Sequence, residues 1–388
     1  MIEFDVASYK QLSDPDDTLS WQRAFAAVAS LGSQGGLVRP PPGTCDVSAE
    51  LQLPDYCVVD GDSQYATTVR TSSPRDNVFS LRGIGQTVRD INIVPSVPRL
   101  GPVNSLDPTT CNGIYVGPTA VQTQLLRYSM FEMFYGVTQD ASSTVIHDHP
   151  RIYHTVPDVG ISIRLLSNTG AVITRAICDA PTGQAPWSHL LINHTEETIL
   201  TNCDFIRAKY AVYINPAAGQ HVLGLRAANT WLDTSQITGL MVTPGPGGIV
   251  GQMDWVQCWM ASAVGGQGGG VDIVGTPGSA IDGITFDRCM LYNNHIFGVR
   301  AVNARSINVT GCEMSAIPVA LYYENVVRGR IQGNDFGPTT GKTPCTVGIS
   351  LAGGTANLNI CGNIANACAV PFSLGGTAGH VITGNSGF

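Results

Sequence analysis

The stretches TNCDFI (201–206), NTWLDT (229–234), VQCWMA (256–261), DRCMLY (287–292), TGCEMS (310–315) and QGNDFG (332–337) spell one phrase six times. Aligned on Cys203, Thr230, Cys258, Cys289, Cys312 and Asn334, they are followed by two more copies centred on Asn363 and Asn385. The intervals are 27, 28, 31, 23, 22, 29 and 22 residues. That is the period range of a β-solenoid, in which each coil is one supersecondary unit and loops at its sides absorb the extra residues.

The apolar positions fix the geometry of the phrase. Three residues before the aligned position stand Leu200, Ala227, Trp255, Phe286, Val309, Ile331, Ile360 and Ile382; two residues after it stand Phe205, Leu232, Met260, Leu291, Met314 and Phe336. Both columns must face inward, yet an odd separation contradicts the two-residue period of a straight strand. The chain therefore bends between them. Gly311, Gly333, Gly362 and Gly384 sit just before the aligned residue, where positive φ costs glycine nothing. The aligned Cys or Asn is small enough to stack on its copy in the next coil, and Asn334, Asn363 and Asn385 can form an amide ladder. The phrase reads as one corner of a parallel β-helix. A second strand follows each corner, from YAVYI (210–214) to VPFSL (370–374), and VRDINIV, NGIYV, VGISIRLL and AVITRAI extend the pattern back towards residue 80.

Upstream, SDPDDTLSWQRAFAAVASLGSQGG (13–36) predicts a helix over about 17–31, capped by Asp16 or Asp17, with Trp21, Ala24, Phe25 and Val28 on one face. It is followed by LVRPPPGTCDVSAELQLPDYCVVDGDSQYATTVR (37–70), short β-rich runs punctuated by Pro-Gly, Pro-Asp and Asp-Gly turns. This order of capped helix, Gly-Gly, strand, Pro-Gly turn and Gly turn resembles the leading module of pectate-lyase-like right-handed β-helix proteins, many of them bacteriophage tailspikes. The resemblance implies an all-β, single-stranded right-handed parallel β-helix with a short N-terminal capping helix. Residues 1–75 would form the capping module and 76–388 the β-helix. It also implies a homotrimeric virion protein, assembled in the host cytoplasm with other virion proteins, that recognises a bacterial surface polysaccharide. The clustered aspartates, His-Gly and Arg-x-Lys pattern of polygalacturonase-like hydrolases do not occur, nor does the acidic calcium cluster of pectate lyases, so the resemblance implies architecture and no particular activity.

Bulk composition agrees. The 44 glycines and 23 prolines, against 13% charged residues, point to a turn-rich all-β chain. A net charge of −8 without a basic run makes nucleic acid an unsuitable partner. The N-terminus MIEFDVASYK lacks the pattern of a signal peptide, and no apolar run is long enough to insert in a membrane. Eleven cysteines, an odd count without C-x-x-C, read as small core residues of a chain folded under reducing conditions; neither metal nor cofactor is expected.

If the inward columns are assigned correctly, the residue after each aligned position faces outward: Asp204, Trp231, Trp259, Met290, Glu313 and Asp335. Coils stack at about 4.8 Å, so these side chains form one stripe. Indole faces suit the C–H faces of sugar rings, and carboxylates and amides bind hydroxyls. Trp231, Trp259, Asp204, Asp233 and Met290 are therefore the expected glycan contacts, with Ser262, Asn293 and Asn294 adding polar groups; packing against a neighbouring subunit is the competing use of the tryptophans. Glu313 and Asp335 are the candidate catalytic pair, because carboxyl groups about 5 Å apart serve as acid and nucleophile in retaining glycosidases. A polysaccharide depolymerase would then be a glycoside hydrolase rather than a lyase. A non-catalytic structural or decoration protein of the virion is the alternative. STVIHDHPRIYHT (143–155) gathers His147, His149 and His154 around Asp148, a combination that could hold a metal, although Pro150 and uneven spacing favour a loop with core or solvated histidines.

Overall fold

The computed structural model describes residues 1–388 except 104–106, 154–155, 263–267, 295, 338–342 and 376–377. The chain is an all-β parallel solenoid with one α-helix among the described residues, and it divides into two compact units, Met1–Leu190 and Leu191–Phe388.

In the first unit the helix Thr18–Ala29 buries Trp21, Ala24, Phe25 and Val28 on one face. Asp16 supplies the cap, its Oδ1 accepting the Thr18 N–H at 2.8 Å. Asp17 instead accepts the Asp46 N–H at 2.8 Å, tying the helix to the strand Gly43–Val47. Two parallel stacks follow. One carries Thr87–Pro95, Thr123–Phe131, Val145–Asp148 and Ala171–Thr174 in succession. The other carries Phe79–Leu81, Asn112–Val116, Tyr135–Ser142 and Ile161–Asn168. VRDINIV and NGIYV lie wholly in these strands, VGISIRLL does so from Ile161 on, and AVITRAI supplies the strand Ala171–Thr174.

The second unit shows why the repeated phrase has its form. The inward columns are buried as expected, with Leu200, Trp255, Phe286, Phe205, Leu291 and Phe336 all closed to solvent; only Ile382, on the last strand, is 43% exposed. The residue before each aligned position is left-handed in every copy: Asn202, Asn229, Gln257, Arg288, Gly311, Gly333, Gly362 and Gly384 have φ between 49° and 66°. This single left-handed residue turns the strand so that positions five apart both face the core.

The aligned residues have one job whether they are cysteine or asparagine. Cys258, Cys289 and Cys312 point their thiols at the carbonyls of Ala227, Trp255 and Phe286, at 3.7, 3.3 and 3.6 Å. Asn334, Asn363 and Asn385 direct Nδ2 at Val309, Ile331 and Ile360, at 2.9, 2.9 and 3.1 Å. In each case the group satisfies a carbonyl of the preceding coil, at the bend where the ladder is interrupted. All eleven cysteines are free thiols, and burial pushes Cys45, Cys57 and Cys345 up to about 12. Among the described residues no helix is long and apolar enough to cross a membrane.

Candidate functional site

Backbone hydrogen bonds lock the outward stripe in register. The N–H groups of Trp231, Trp259, Met290, Glu313 and Asp335 donate to the carbonyls of Cys203, Thr230, Cys258, Cys289 and Cys312, at 2.8, 3.0, 2.9, 3.0 and 2.9 Å. Asp204 pairs with Trp231, Trp231 with Trp259, Trp259 with Met290, Met290 with Glu313 and Glu313 with Asp335. Ile364 and Ser386 continue the column. The six side chains predicted from the sequence therefore do rise one above another on a single wall of the second unit.

Trp231 is 53% exposed, an unusual state for an indole. Trp259 is half-buried beside it, ring centroids 6.2 Å apart and planes inclined by 36°. Tyr292 adds a third ring, 6.0 Å from Trp259. Tyr292 occupies the outward position three residues after Cys289, where Asp233 stands two coils earlier; alignment of that column would have revealed it.

The polar members differ in how they are held. Asp233 is half-buried, and its Oδ1 accepts the Thr234 N–H at 2.8 Å. Glu313 is half-buried, with Oε1 sealed from solvent and without a hydrogen-bond partner among the described residues. Asp335 is exposed, and its Oδ1 accepts the Gly337 N–H at 2.7 Å, closing its own turn. Asn293 is half-buried with φ of 53°. Asn294 departs from expectation: it is 1% exposed and donates Nδ2 to the Met260 carbonyl at 3.2 Å, so it belongs to the core. The side chain of Ser262 lies outside the described residues.

Among the described residues of the histidine segment, no three His, Cys, Asp or Glu side chains gather as a metal site would need. His147 is fully buried, hydrogen-bonded to Tyr128 Oη at 3.1 Å and Gln139 Oε1 at 3.4 Å, and burial pulls it down to about 3. Asp148, the next residue along the strand, faces the other way and accepts Thr174 Oγ1 at 2.7 Å and the Arg175 guanidinium. His149 has φ of 61° and lies below its ordinary range, chiefly through burial. His154 lies outside the described residues.

What the fold and stripe define is a right-handed parallel β-helix with an aromatic, carboxylate-flanked wall. No family model and no curated protein sequence matches the chain. Among solved structures it is similar to the A-module of mannuronan C-5 epimerase AlgE4 from Azotobacter vinelandii, with 15% identity, TM-score 0.51, and 98% of this chain and 100% of that one covered. It is similar to the catalytic domain of a GH87 α-1,3-glucanase in complex with nigerose, with 12% identity, TM-score 0.55, and coverage of 99% and 69%. It is also similar to tailspike protein 3 of bacteriophage CBA120, with 11% identity, TM-score 0.56, and coverage of 99% of this chain and 61% of that one. At these identities the likeness is one of fold.

Proposed function

We propose that the column from Asp204 to Asp335 binds an extended polysaccharide of a bacterial surface, and that the chain is a bacteriophage tailspike-like virion protein, homotrimeric and joined to other virion proteins. The observation that carries this reading is the exposed Trp231 in register with Trp259, continued by Tyr292. Three rings on successive coils offer sugar-binding faces at a pitch of about 4.8 Å, so a flexible chain laid along them can stack at several points. Asp204, Asp233, Glu313 and Asp335 border the rings with hydroxyl acceptors. The similar structures, a tailspike and two polysaccharide-acting enzymes, support the same class of ligand.

Cleavage is a second reading, favoured by the unpartnered Oε1 of Glu313 beside Asp335 on the next coil. At the coil pitch of about 4.8 Å their separation suits a retaining hydrolase. The purified chain incubated with host capsule or lipopolysaccharide separates the readings. Trp231→Ala and Trp259→Ala are expected to weaken retention of the polysaccharide about tenfold each, the loss of one stacked ring. If retention is unaffected, the column is not the binding surface. Glu313→Gln is expected to stop any shortening of the polysaccharide while leaving retention intact; equal shortening by the variant rules out Glu313 as acid or nucleophile.

A further inference from the structure

The first unit contains a buried arginine whose charge is answered by no ion pair among the described residues. Arg164, on the strand Ile161–Asn168, is in register with Thr138 of the neighbouring strand Tyr135–Ser142. It is 7% exposed, and its Nε and Nη1 are sealed from solvent without a hydrogen-bond partner among the described residues. Its guanidinium carbon lies 3.8 Å from the centroid of the Tyr135 ring. Tyr135 is itself steadied edge-on by Phe134, with centroids 4.6 Å apart.

Stacking satisfies the face of the cation and leaves its N–H edge unused. A cation–π contact returns about 2 kcal/mol, whereas burying an unpaired charge costs several. The neighbouring acids do not make up the difference. Asp140 and Asp107 are close enough to act on Arg164 through space, but neither forms an ion pair with it among the described residues. Asp140 Oδ2 accepts the Tyr115 hydroxyl at 3.1 Å, and Asp107 Oδ1 accepts the backbone and hydroxyl of Thr109 at 2.9 and 2.6 Å. Burial outweighs these charges and Tyr135, so Arg164 lies below the ordinary arginine range while remaining a cation.

Arg99 provides an internal contrast. It is buried to a similar degree, and its Nε is likewise without a partner among the described residues, yet it donates Nη1 to the Ser73 carbonyl and Nη2 to the Asp76 carbonyl, pinning one turn at both ends. Arg99 is an arginine used by the fold. Among the described residues Arg164 Nε and Nη1 pin nothing, although Arg99 of the same unit recruits carbonyl partners.

We propose that Arg164, backed by Tyr135, anchors an oxyanion-binding site of the first unit, one that takes the carboxylate of an acidic sugar or a phosphate group. The guanidinium supplies charge-assisted N–H donors of a geometry that matches either group, and Tyr135 holds it in place before the ligand arrives. The site shares no residue with the tryptophan column and does not depend on that column's function.

Side-chain Nε–H signals of the full-length chain, labelled with 15N-arginine, are followed while sodium galacturonate or sodium phosphate is added, with sodium chloride at matched ionic strength as the reference. The expected result is a saturable shift of the Arg164 signal with at least one of the two oxyanions and none with chloride. Galacturonate alone identifies an acidic sugar, phosphate alone a phosphate group, and response to both the shared oxyanion chemistry. Arg164→Lys should bind about tenfold or more weakly, through loss of charge-assisted donors, and Arg164→Met should not respond. The Trp231→Ala/Trp259→Ala double variant should respond as the parent does, which separates this site from the column. Absence of a saturable shift with both oxyanions, or an unchanged response in Arg164→Met, overturns the proposal. Should Arg164→Met fail to fold, the parent titration and Arg164→Lys decide it.

Discussion

Asn363 accepts the backbone N–H and the side-chain amide of Asn334 at 3.0 and 2.9 Å, and donates to the Ile331 carbonyl and Asn385 Oδ1, both at 2.9 Å. It is fully buried, so its removal leaves several polar groups of two coils without partners and without water. Each such group costs about 1–3 kcal/mol. Asn363→Ala is therefore expected to destabilise the chain by about 2–4 kcal/mol in urea unfolding, and Asn385→Ala by less, because Asn385 is only half-buried. Equal losses would mean that burial does not set the cost of breaking the ladder. His147 makes a second residue-scale prediction. Burial holds it neutral, down to about 3 against an ordinary value of 6.5. The unfolded chain thus binds a proton that the folded chain refuses throughout that window. Stability contributed by neutral His147 is complete above about pH 6.5 and falls as pH drops towards 3, by up to about 1.4 kcal/mol per pH unit. His147→Gln should remove this part of the acid slope; an unaltered slope between pH 6 and 4 would place the titration on other groups.

Each corner spends one left-handed residue, and the coils differ in what that costs. Gly333 has φ of 65° with open space where a Cβ would stand, so substitution there tests backbone strain without a clash. Gly333→Ala is expected to destabilise by about 1–2 kcal/mol and Gly333→Asn by less, since asparagine tolerates this region. Asn202 and Asn229 hold the same corner with φ of 55° and 49°. Denaturation midpoints ordering Asn below Ala would contradict the account. The corner was legible in the sequence because core burial imposes both inward columns and glycine marks four of the bends. It was hidden at Gln257 and Arg288, whose residue types carry no left-handed signal although their φ values are 54° and 51°. Stacking then places the outward column without further information, which is why Trp231, Trp259 and their neighbours could be aligned from sequence. Asn294 could not be placed, because it follows the strand Met290–Tyr292 into a turn whose direction the repeat does not fix. Arg164 was invisible for a different reason: an arginine between Ile163 and Leu165 shows neither its burial nor its stacking on Tyr135 until the coils are in register.

At the scale of the whole chain, electrostatics discriminates between the two kinds of ligand. The net charge is −8, and the tryptophan column adds its own carboxylates at Asp204, Asp233, Glu313 and Asp335. An acidic polysaccharide approaching that wall is repelled, and added salt would screen the repulsion and strengthen binding. A neutral, hydroxyl-rich polysaccharide is held by ring stacking and by hydrogen bonds to the carboxylates, neither of which depends on long-range attraction. Its affinity for the column is therefore expected to change by no more than about twofold between roughly 0.05 and 0.5 M sodium chloride, where the Debye length shrinks from about 14 to 4 Å. Oxyanion binding at Arg164 should weaken over the same range, since it rests on one positive charge. Calorimetric titration of the host polysaccharide across that salt series checks the first expectation. A steep fall in affinity would show that cationic side chains, not the aromatic wall, hold the ligand, and a steep rise would identify it as acidic.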